Sequence, residues 1–330
     1  MQGRGLCLQC RMRRQTPVIE FEQVVARGCG MDVHKETVVA TIAGVGIEQE
    51  TRTFSTFTNS LEELKEWLQS AGITHAAMES TGVYWKPVFN VLEADFEILL
   101  VNARHVKNVP GHKTDQRDSR WLTKLLLSGL LKGSFIPPVE IRQLRDLFRY
   151  KRKLTGQVSA EKNRLQKILE DANIKLSSVV SDVFGVSATR IIDALIGGEE
   201  DLEELVKLCH GKLNSKRELL KEALVGKLTE HHKFMLRTIK ESMANIEGII
   251  AKVDRQIDEQ TKVYEVEIEL LQTIPGVGKD SAIGIIAEIG VEMEVFPNEQ
   301  HLASWAGMSP GNNESAGKKK VAARRTAINI

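Results

Sequence analysis

Asp32, Glu79, Asp115 and Asp118 constrain this chain more than anything else in its 330 residues. Asp32 stands in CGMDVHKETVVATIAG and Glu79 in THAAMESTGVYW, each on or at the end of a short apolar run of the kind that forms strands. Asp115 and Asp118 lie three apart in HKTDQRDSRWL, at the start of a helical stretch, which puts both on one helical face. A lone carboxylate is ordinarily a solvated surface charge, and four close together repel unless a cation lies between them. Acids gathered from two strands and a helix therefore point to hard divalent cations, Mg²⁺ or in its place Mn²⁺, held against a phosphate.

The order of elements around these acids fits that reading. VVARGCGMDVHKETVVATIAG reads as two extended segments joined at HKE, and IEQETRTFSTF as a third. NSLEELKEWLQSAG is an amphipathic helix, with Asn59 or Ser60 as the expected N-cap and Gly72 at its end. ITHAAMES is a strand ending on Glu79, TGVYWKPVFNVLEAD a helix, FEILLVNA a buried strand, and TDQRDSRWLTKLLLSGLL a helix capped by Thr114. Three strands, helix, strand, helix, strand, helix is the layout of the RNase H-like fold. The fold class expected is α/β for this N-terminal part and all-α for the remainder of the chain.

Beyond residue 135 the chain is helical. Residues 140–175 keep a helical apolar period through Leu144, Leu147, Leu154, Val158, Leu165, Ile168 and Leu169. A second long helix is expected over 217–271, where Met235, Ile239, Met243, Ile246, Ile250, Val253 and Ile257 form a coiled-coil seam. Two such helices can fold back as an antiparallel hairpin, pair with another subunit, or both. The expected divisions are an irregular tail over 1–25, the acid-bearing domain over 26–135, a helical coiled-coil region over 136–270 and a small helical domain over 271–330.

A net charge of +1 does not suggest a nucleic-acid binder, but the distribution of charge does. Between Ile141 and Lys167 nine cations (Arg142, Arg145, Arg149, Lys151, Arg152, Lys153, Lys162, Arg164 and Lys167) face only Asp146 and Glu161. Beside a phosphoryl-transfer site, such a helix reads as a phosphate surface rather than a solvated face. The loop before Asp115 adds Arg104, Lys107 and Lys113. IPGVGKDSAIGIIAEIG resembles a helix-hairpin-helix turn, in which Gly276 and Gly278 let the backbone approach a phosphate; an ordinary tight turn reads the same way. No GxxxxGK[ST] loop occurs.

The four cysteines are too few and too scattered for a disulfide framework. Cys7 and Cys10 form a CxxC with no second pair to complete a zinc site, so they are expected as reduced thiols in the tail. His231 and His232, adjacent on the expected helix, cannot share a ligand face and are expected at the surface. There is no run of 18 apolar residues and no signal-peptide pattern, which predicts a soluble intracellular protein with no membrane partner.

DVHKETVVA, ESTGVYWKP and VNARHVKNVPGHKTDQRDSRWLTKLL together resemble the RuvC-like domain of the DEDD transposases of the insertion-sequence 110 family. LLQTIPGVGKDSAIGIIAEIG followed by FPNEQHLASWAGMSPGNNESAGKKK resembles that family's second signature domain. The resemblance covers roughly 26–320, and two motif blocks in the right order are far more specific than either alone. It implies DNA as substrate, an Mg²⁺-bound tetrad of the four acids, a structured guide RNA encoded by the element and a prokaryotic cytoplasmic, nucleoid-associated setting, while the coiled coil itself predicts a homo-oligomer (dimer or tetramer). It also implies a serine nucleophile, which falls on Ser315 in ESAG; Ser309 aligns with the small residue before the family's proline. Lys318 and Lys319 then read as phosphate clamps. Relatives continue for several helices beyond this block and start close to the first strand, so both ends of this chain are expected to be products of a disrupted or mis-started reading frame.

Overall fold

The computed structural model describes residues 24–79, 82–102, 115–308, 314–315 and 318–319. The chain divides between Ile136 and Pro137 into two compact units.

The first unit begins with three strands, β1 (Arg27–Val33), β2 (Thr37–Gly44) and β3 (Ile47–Ser55), followed by helix α1 (Thr58–Ser70). Strand β4 (His75–Glu79), helix α2 (Trp85–Leu92), strand β5 (Glu97–Val101) and helix α3 (Asp115–Leu127) complete it. The sheet order is β3-β2-β1-β4-β5. β1, β2 and β3 pair antiparallel, whereas β1, β4 and β5 run parallel. This is the RNase H-like arrangement expected from the sequence.

Alternation along the strands decides what each face covers. Cys29, Met31 and Val33 of β1, with Ala76 and Met78 of β4, pack with Leu61, Leu64 and Leu68 of α1 and Val88 and Leu92 of α2. Each fully buried leucine there contributes roughly 2 kcal/mol of apolar burial. The opposite face, carrying Gly28, Gly30 and Ala77, is covered by α3. One detail departs from expectation: α1 is capped by Phe57, not by Asn59 or Ser60. The Ser60 hydroxyl instead accepts from the Ser55 N–H at the end of β3, 3.1 Å away, so it is engaged inside the helix's first turn.

The second unit is helical. Helix α4 (Val139–Asp171) is followed by α5 (Val186–Gly197), α6 (Leu202–Lys207), α7 (Arg217–Leu224) and the long α8 (Glu230–Thr261). Asp171 at the end of α4 meets His232 at the start of α8, while Lys151 meets Asp254, so the two long helices are antiparallel. Their interface buries Leu154, Val158, Leu165 and Leu169 of α4 with Ile239, Met243, Val253 and Ile257 of α8. Met235, Ile246 and Ile250 are half-buried against the same seam. Of the arrangements open to the sequence, the hairpin within one chain is the one seen.

The helix expected over 217–271 is broken twice, at 225–229 and at 262–264. At the first break the Lys227 N–H donates to the Ala172 carbonyl at 2.9 Å, an approach so close that a Cβ on Gly226 would collide with that oxygen. Thr229 then restarts the chain with a capping box: its hydroxyl accepts from the His232 N–H at 3.3 Å, and His232 Nδ1 accepts from the Thr229 N–H at 3.2 Å. His232 is therefore buried, not a surface residue, with Nε2 3.0 Å from Asp171 Oδ2. Helices α9 (Glu265–Gln272), α10 (Lys279–Ile289) and α11 (Glu299–Trp305) follow, and then a two-stranded pair, β6 (Glu314–Ser315) with β7 (Lys318–Lys319).

Candidate functional site

The parallel register of β1 and β4 brings two of the four acids together. Met31 lies opposite Met78, so Asp32 and Glu79 are the next neighbours, and Glu79 is the last residue of β4. Both fall on the α3 face by alternation, two residues beyond Gly30 and Ala77. Asp32 is 17% exposed, and its Oδ2 lies 3.2 Å from His34 Nε2.

Helix α3 runs antiparallel to β1. Leu126 and Leu127 lie over Gly28, Ser119 and Thr123 lie over Gly30, and the Leu127 carbonyl accepts from the Val24 N–H at 2.8 Å. Its N-terminal turn therefore points toward the Asp32 and Glu79 end of the sheet. From Gly30 to Asp32 the strand advances about 6.6 Å. From Ser119 back to Asp115 the helix advances about 6 Å. Asp115 thus begins α3 level with Asp32, and Asp118 is exposed one residue before Ser119. Among the described residues no three His, Cys, Asp or Glu side chains stand together in a metal-holding group, and the Asp115 side chain is not among those described. Asp32 and Glu79 offer carboxylate oxygens, the chemistry that suits a hard cation.

A buried hydroxyl ladder holds this geometry. The Gly30 N–H donates to Thr123 Oγ1 at 3.0 Å, and that hydroxyl's single proton reaches the Ser119 carbonyl at 2.8 Å and the Thr41 carbonyl at 3.0 Å. Ser119 Oγ lies 2.8 Å from Thr41 Oγ1, which is 2.9 Å from Thr51 Oγ1. A Cβ on Gly30 would lie well inside van der Waals contact with the Ser119 carbonyl and the Thr123 nitrogen. Sequence reasoning missed these residues. The available signals were the glycines alternating in RGCGMD, which mark a close backbone approach on one strand face, and small hydroxyl residues four apart on the inner stripe of a helix.

In the second unit the basic helix α4 divides into two populations. Arg149 makes a bidentate pair with Glu288, Nε to Oε1 at 3.0 Å and the terminal nitrogen to Oε2 at 2.8 Å. Arg145 donates to the Ala287 and Glu288 carbonyls at the end of α10, at 3.0 and 2.6 Å. Burial pushes the Arg145 pKa down, while Glu288 pushes back. Lys151 bridges Asp254 at 2.8 Å and Asp280 at 2.5 Å. Arg142 donates to the Pro137 carbonyl at 3.1 Å. These cations, expected on a phosphate surface, instead hold the helical unit together. Arg152, Lys153 and Lys167 remain exposed, as does Arg164, which pairs with Glu161.

The turn between α9 and α10 contains Gly276 at φ +89 and Gly278 as the residue before α10. An added Cβ would meet nothing within 4 Å at either glycine, so the chain's own packing does not require their small size. Ser315 is the register partner of Lys318, and Glu314 of Lys319. Arg104, Lys107, Lys113, Thr114, Ser309, Cys7 and Cys10 lie outside the described residues. Cys29 and Cys209 are free and buried, and burial raises both thiol pKa values, so neither is poised as a nucleophile.

A family model described as Transposase, for DEDD transposases of the IS110 type, matches residues 29–174. A second, described as Transposase IS116/IS110/IS902 family, matches residues 268–328. The chain belongs to the IS110 family of DEDD transposases. No curated protein matches it. Among solved structures, T. thermophilus RuvC in complex with Holliday junction substrate is similar at 10% identity and a TM-score of 0.26, over 33% of this chain and 99% of that one. The first family match spans all four acids of the transposase, and the second spans Gly276, Gly278, Ser315, Lys318 and Lys319. No described helix of the transposase is long and apolar enough to cross a membrane.

Proposed function

We propose that this transposase cleaves and rejoins DNA with Asp32, Glu79, Asp115 and Asp118 as ligands for Mg²⁺ or Mn²⁺ and Ser315 as the nucleophile. The observation that carries the reading is the pairing of Asp32 and Glu79 as register neighbours at the ends of two parallel strands, beneath the first turn of α3. A divalent ion bound there supplies charge neutralisation at the scissile phosphate and makes an attacking hydroxyl more acidic. Ser315 Oγ forms a bond to phosphorus as one P–O bond of the strand breaks, and the serine proton leaves on the departing strand hydroxyl. Attack by another strand's hydroxyl on the serine-linked phosphate then rejoins the DNA and frees the serine. Lys318, the register partner of Ser315, and Lys319 supply positive charge beside the linked phosphate. Arg152, Lys153 and Arg164 hold the backbone without reading sequence, and the Gly276–Gly278 turn offers it amides. A structured RNA encoded by the element supplies the choice of site, as the family resemblance implies.

Denaturing electrophoresis of labelled DNA after reaction with Mg²⁺ tests this. Wild type should yield a covalent protein–DNA species, Ser315→Ala none, and Ser309→Ala nearly the wild-type amount. Asp32→Asn and Glu79→Gln should abolish cleavage while DNA binding persists. DNA cut equally by wild type and Ser315→Ala, and migrating free of protein, would replace serine chemistry with a nuclease that activates water. DNA bound but uncut with every divalent ion would leave a non-catalytic nucleic-acid-binding protein.

A further inference from the structure

We propose that Thr123 is the positioning residue of the acidic site, acting with Gly30, Ser119 and Thr41 to set the height and rotation of α3 on β1. The inference rests on the reading of the four acids as metal ligands. Asp118 immediately precedes Ser119, and Asp115 stands one turn earlier, so whatever fixes Ser119 fixes where both acids start. Two contacts do so from opposite sides. Gly30 removes the side chain that would hold the helix off the strand, letting the Ser119 carbonyl and Thr123 nitrogen approach its Cα. The Thr123 hydroxyl then locks that approach, accepting from the Gly30 N–H at 3.0 Å and donating back to carbonyls of α3 and β2. Gly30 is two residues from Asp32 on the same strand face, and Thr41 is its register partner on β2. Thr41, Ser119 and Thr123 are buried, so water cannot replace a partner lost among them.

The Thr123 hydroxyl bonds backbone groups of Gly30, Ser119 and Thr41. Its role is to hold the acids of α3 against Asp32 and Glu79 before any ion arrives, as supporting groups around metal sites do. Removing such a support typically costs about tenfold or more in metal affinity. A slip of one helical residue would move Asp115 along the axis by about 1.5 Å and around it by roughly 100°, taking it off the acid face altogether.

The test is Mn²⁺ binding to the full chain, followed by electron paramagnetic resonance, with DNA cleavage measured across a range of Mg²⁺ concentrations. Thr123→Val keeps the shape and removes the hydroxyl. It should weaken Mn²⁺ binding about tenfold and raise the Mg²⁺ concentration for half-maximal cleavage in parallel, with cleavage recovering at high Mg²⁺. Thr123→Ser restores the hydroxyl and should restore both. Ser119→Ala, which removes the hydroxyl contact to Thr41, should give a smaller shift in the same direction and serves if the valine variant does not fold. A folded Thr123→Val, or in its absence Ser119→Ala, that binds Mn²⁺ as wild type does overturns the positioning role. A wild-type chain that binds no Mn²⁺, or binds it equally after Asp32→Asn, refutes the metal-site reading itself and removes the basis of this one.

Discussion

Replacing Glu288 by alanine separates two roles for the basic helix, structural clamp and phosphate surface. The Glu288 carboxylate is only 11% exposed and receives both nitrogens of the Arg149 fork, with Arg145 Nε a further 3.4 Å from it. Breaking a fully buried ion pair by removing one partner costs about 3–5 kcal/mol, because a charge is left stranded. The cost here is smaller for two reasons. The Arg149 side chain is 28% exposed, so water resolvates much of its charge, and Arg145 keeps its backbone carbonyl partners. A loss of about 2 kcal/mol is expected, between the buried and the surface limits. Urea unfolding of the full chain, followed by helical circular dichroism, measures it as a lowered midpoint for the helical unit. Replacing the pair together, Arg149→Met with Glu288→Leu, should recover part of the loss, since it removes the stranded Arg149 charge and leaves Arg145 with its backbone carbonyl partners alone.

The DNA arm makes the same prediction refutable from the other side. Each phosphate contact contributes about 0.9 to the slope of log affinity against log salt. Arg149→Gln should leave that slope unchanged, because its guanidinium is held by Glu288, whereas Arg152→Gln should lower it by nearly one unit if Arg152 contacts a phosphate. Equal slope changes for the two, together with Glu288→Ala stability within about 0.5 kcal/mol of wild type, would show that Arg149 is not paired with Glu288 in solution and refute the clamp.

Exposure also predicts that changing Arg152, Lys153 and Arg164 together to Gln lowers the salt slope by up to about three units in a filter-binding series. Gly276→Ala should cost about 1–2 kcal/mol in a urea melt because of its positive φ, whereas Gly278→Ala, at φ −87 with open space around it, should leave stability intact and weaken DNA binding if its turn meets a phosphate. His232→Ala removes a capping box and the contact with Asp171 and should cost about 1–2 kcal/mol by the same melt. Burial pulls the Lys151 ammonium down, but Asp254 and Asp280 outweigh it and hold its pKa above the ordinary lysine value. Its stabilisation is therefore complete below the ordinary lysine pKa and fades as pH rises through the raised one, so Lys151→Met should lower stability across the neutral range, with the deficit shrinking as pH rises through the raised pKa in a stability–pH profile.

What the sequence made legible is what periodicity encodes. Five strands in order, the fourth ending on Glu79, and the two long amphipathic helices all come from alternation at two residues or at 3.6, and the structure contains them. What stayed hidden depends on contacts between residues far apart in the chain. Nothing local marks Glu288 as the partner of Arg149, 139 positions away, so charge density alone made α4 look like one continuous phosphate surface. The break before α8 was masked similarly: the seam of Ile and Met residues lies beyond Gly226, and only the close approach of Ala172 makes that glycine end a helix.

The acidic site joins the two kinds of information. Asp32 and Glu79 each announce themselves at the end of an apolar run, yet being neighbours is a property of register, set when Met31 pairs with Met78. Asp115 and Asp118 announce a helix start, yet how high along β1 that helix starts depends on where Ser119 and Thr123 rest on Gly30. A cluster of carboxylates opposes its own assembly by repulsion, so the fold must fix their backbone from elsewhere. On the proposed reading this chain does so with a glycine and three hydroxyl residues on the buried side of the same helix and strands, groups too small to show in a hydrophobic pattern and uncharged, so invisible to a search for chemistry. A substitution that enlarges Gly30 or removes the Thr123 hydroxyl should therefore damage the site without touching a single acid, and a sequence search for the four acids alone would count such a variant as intact.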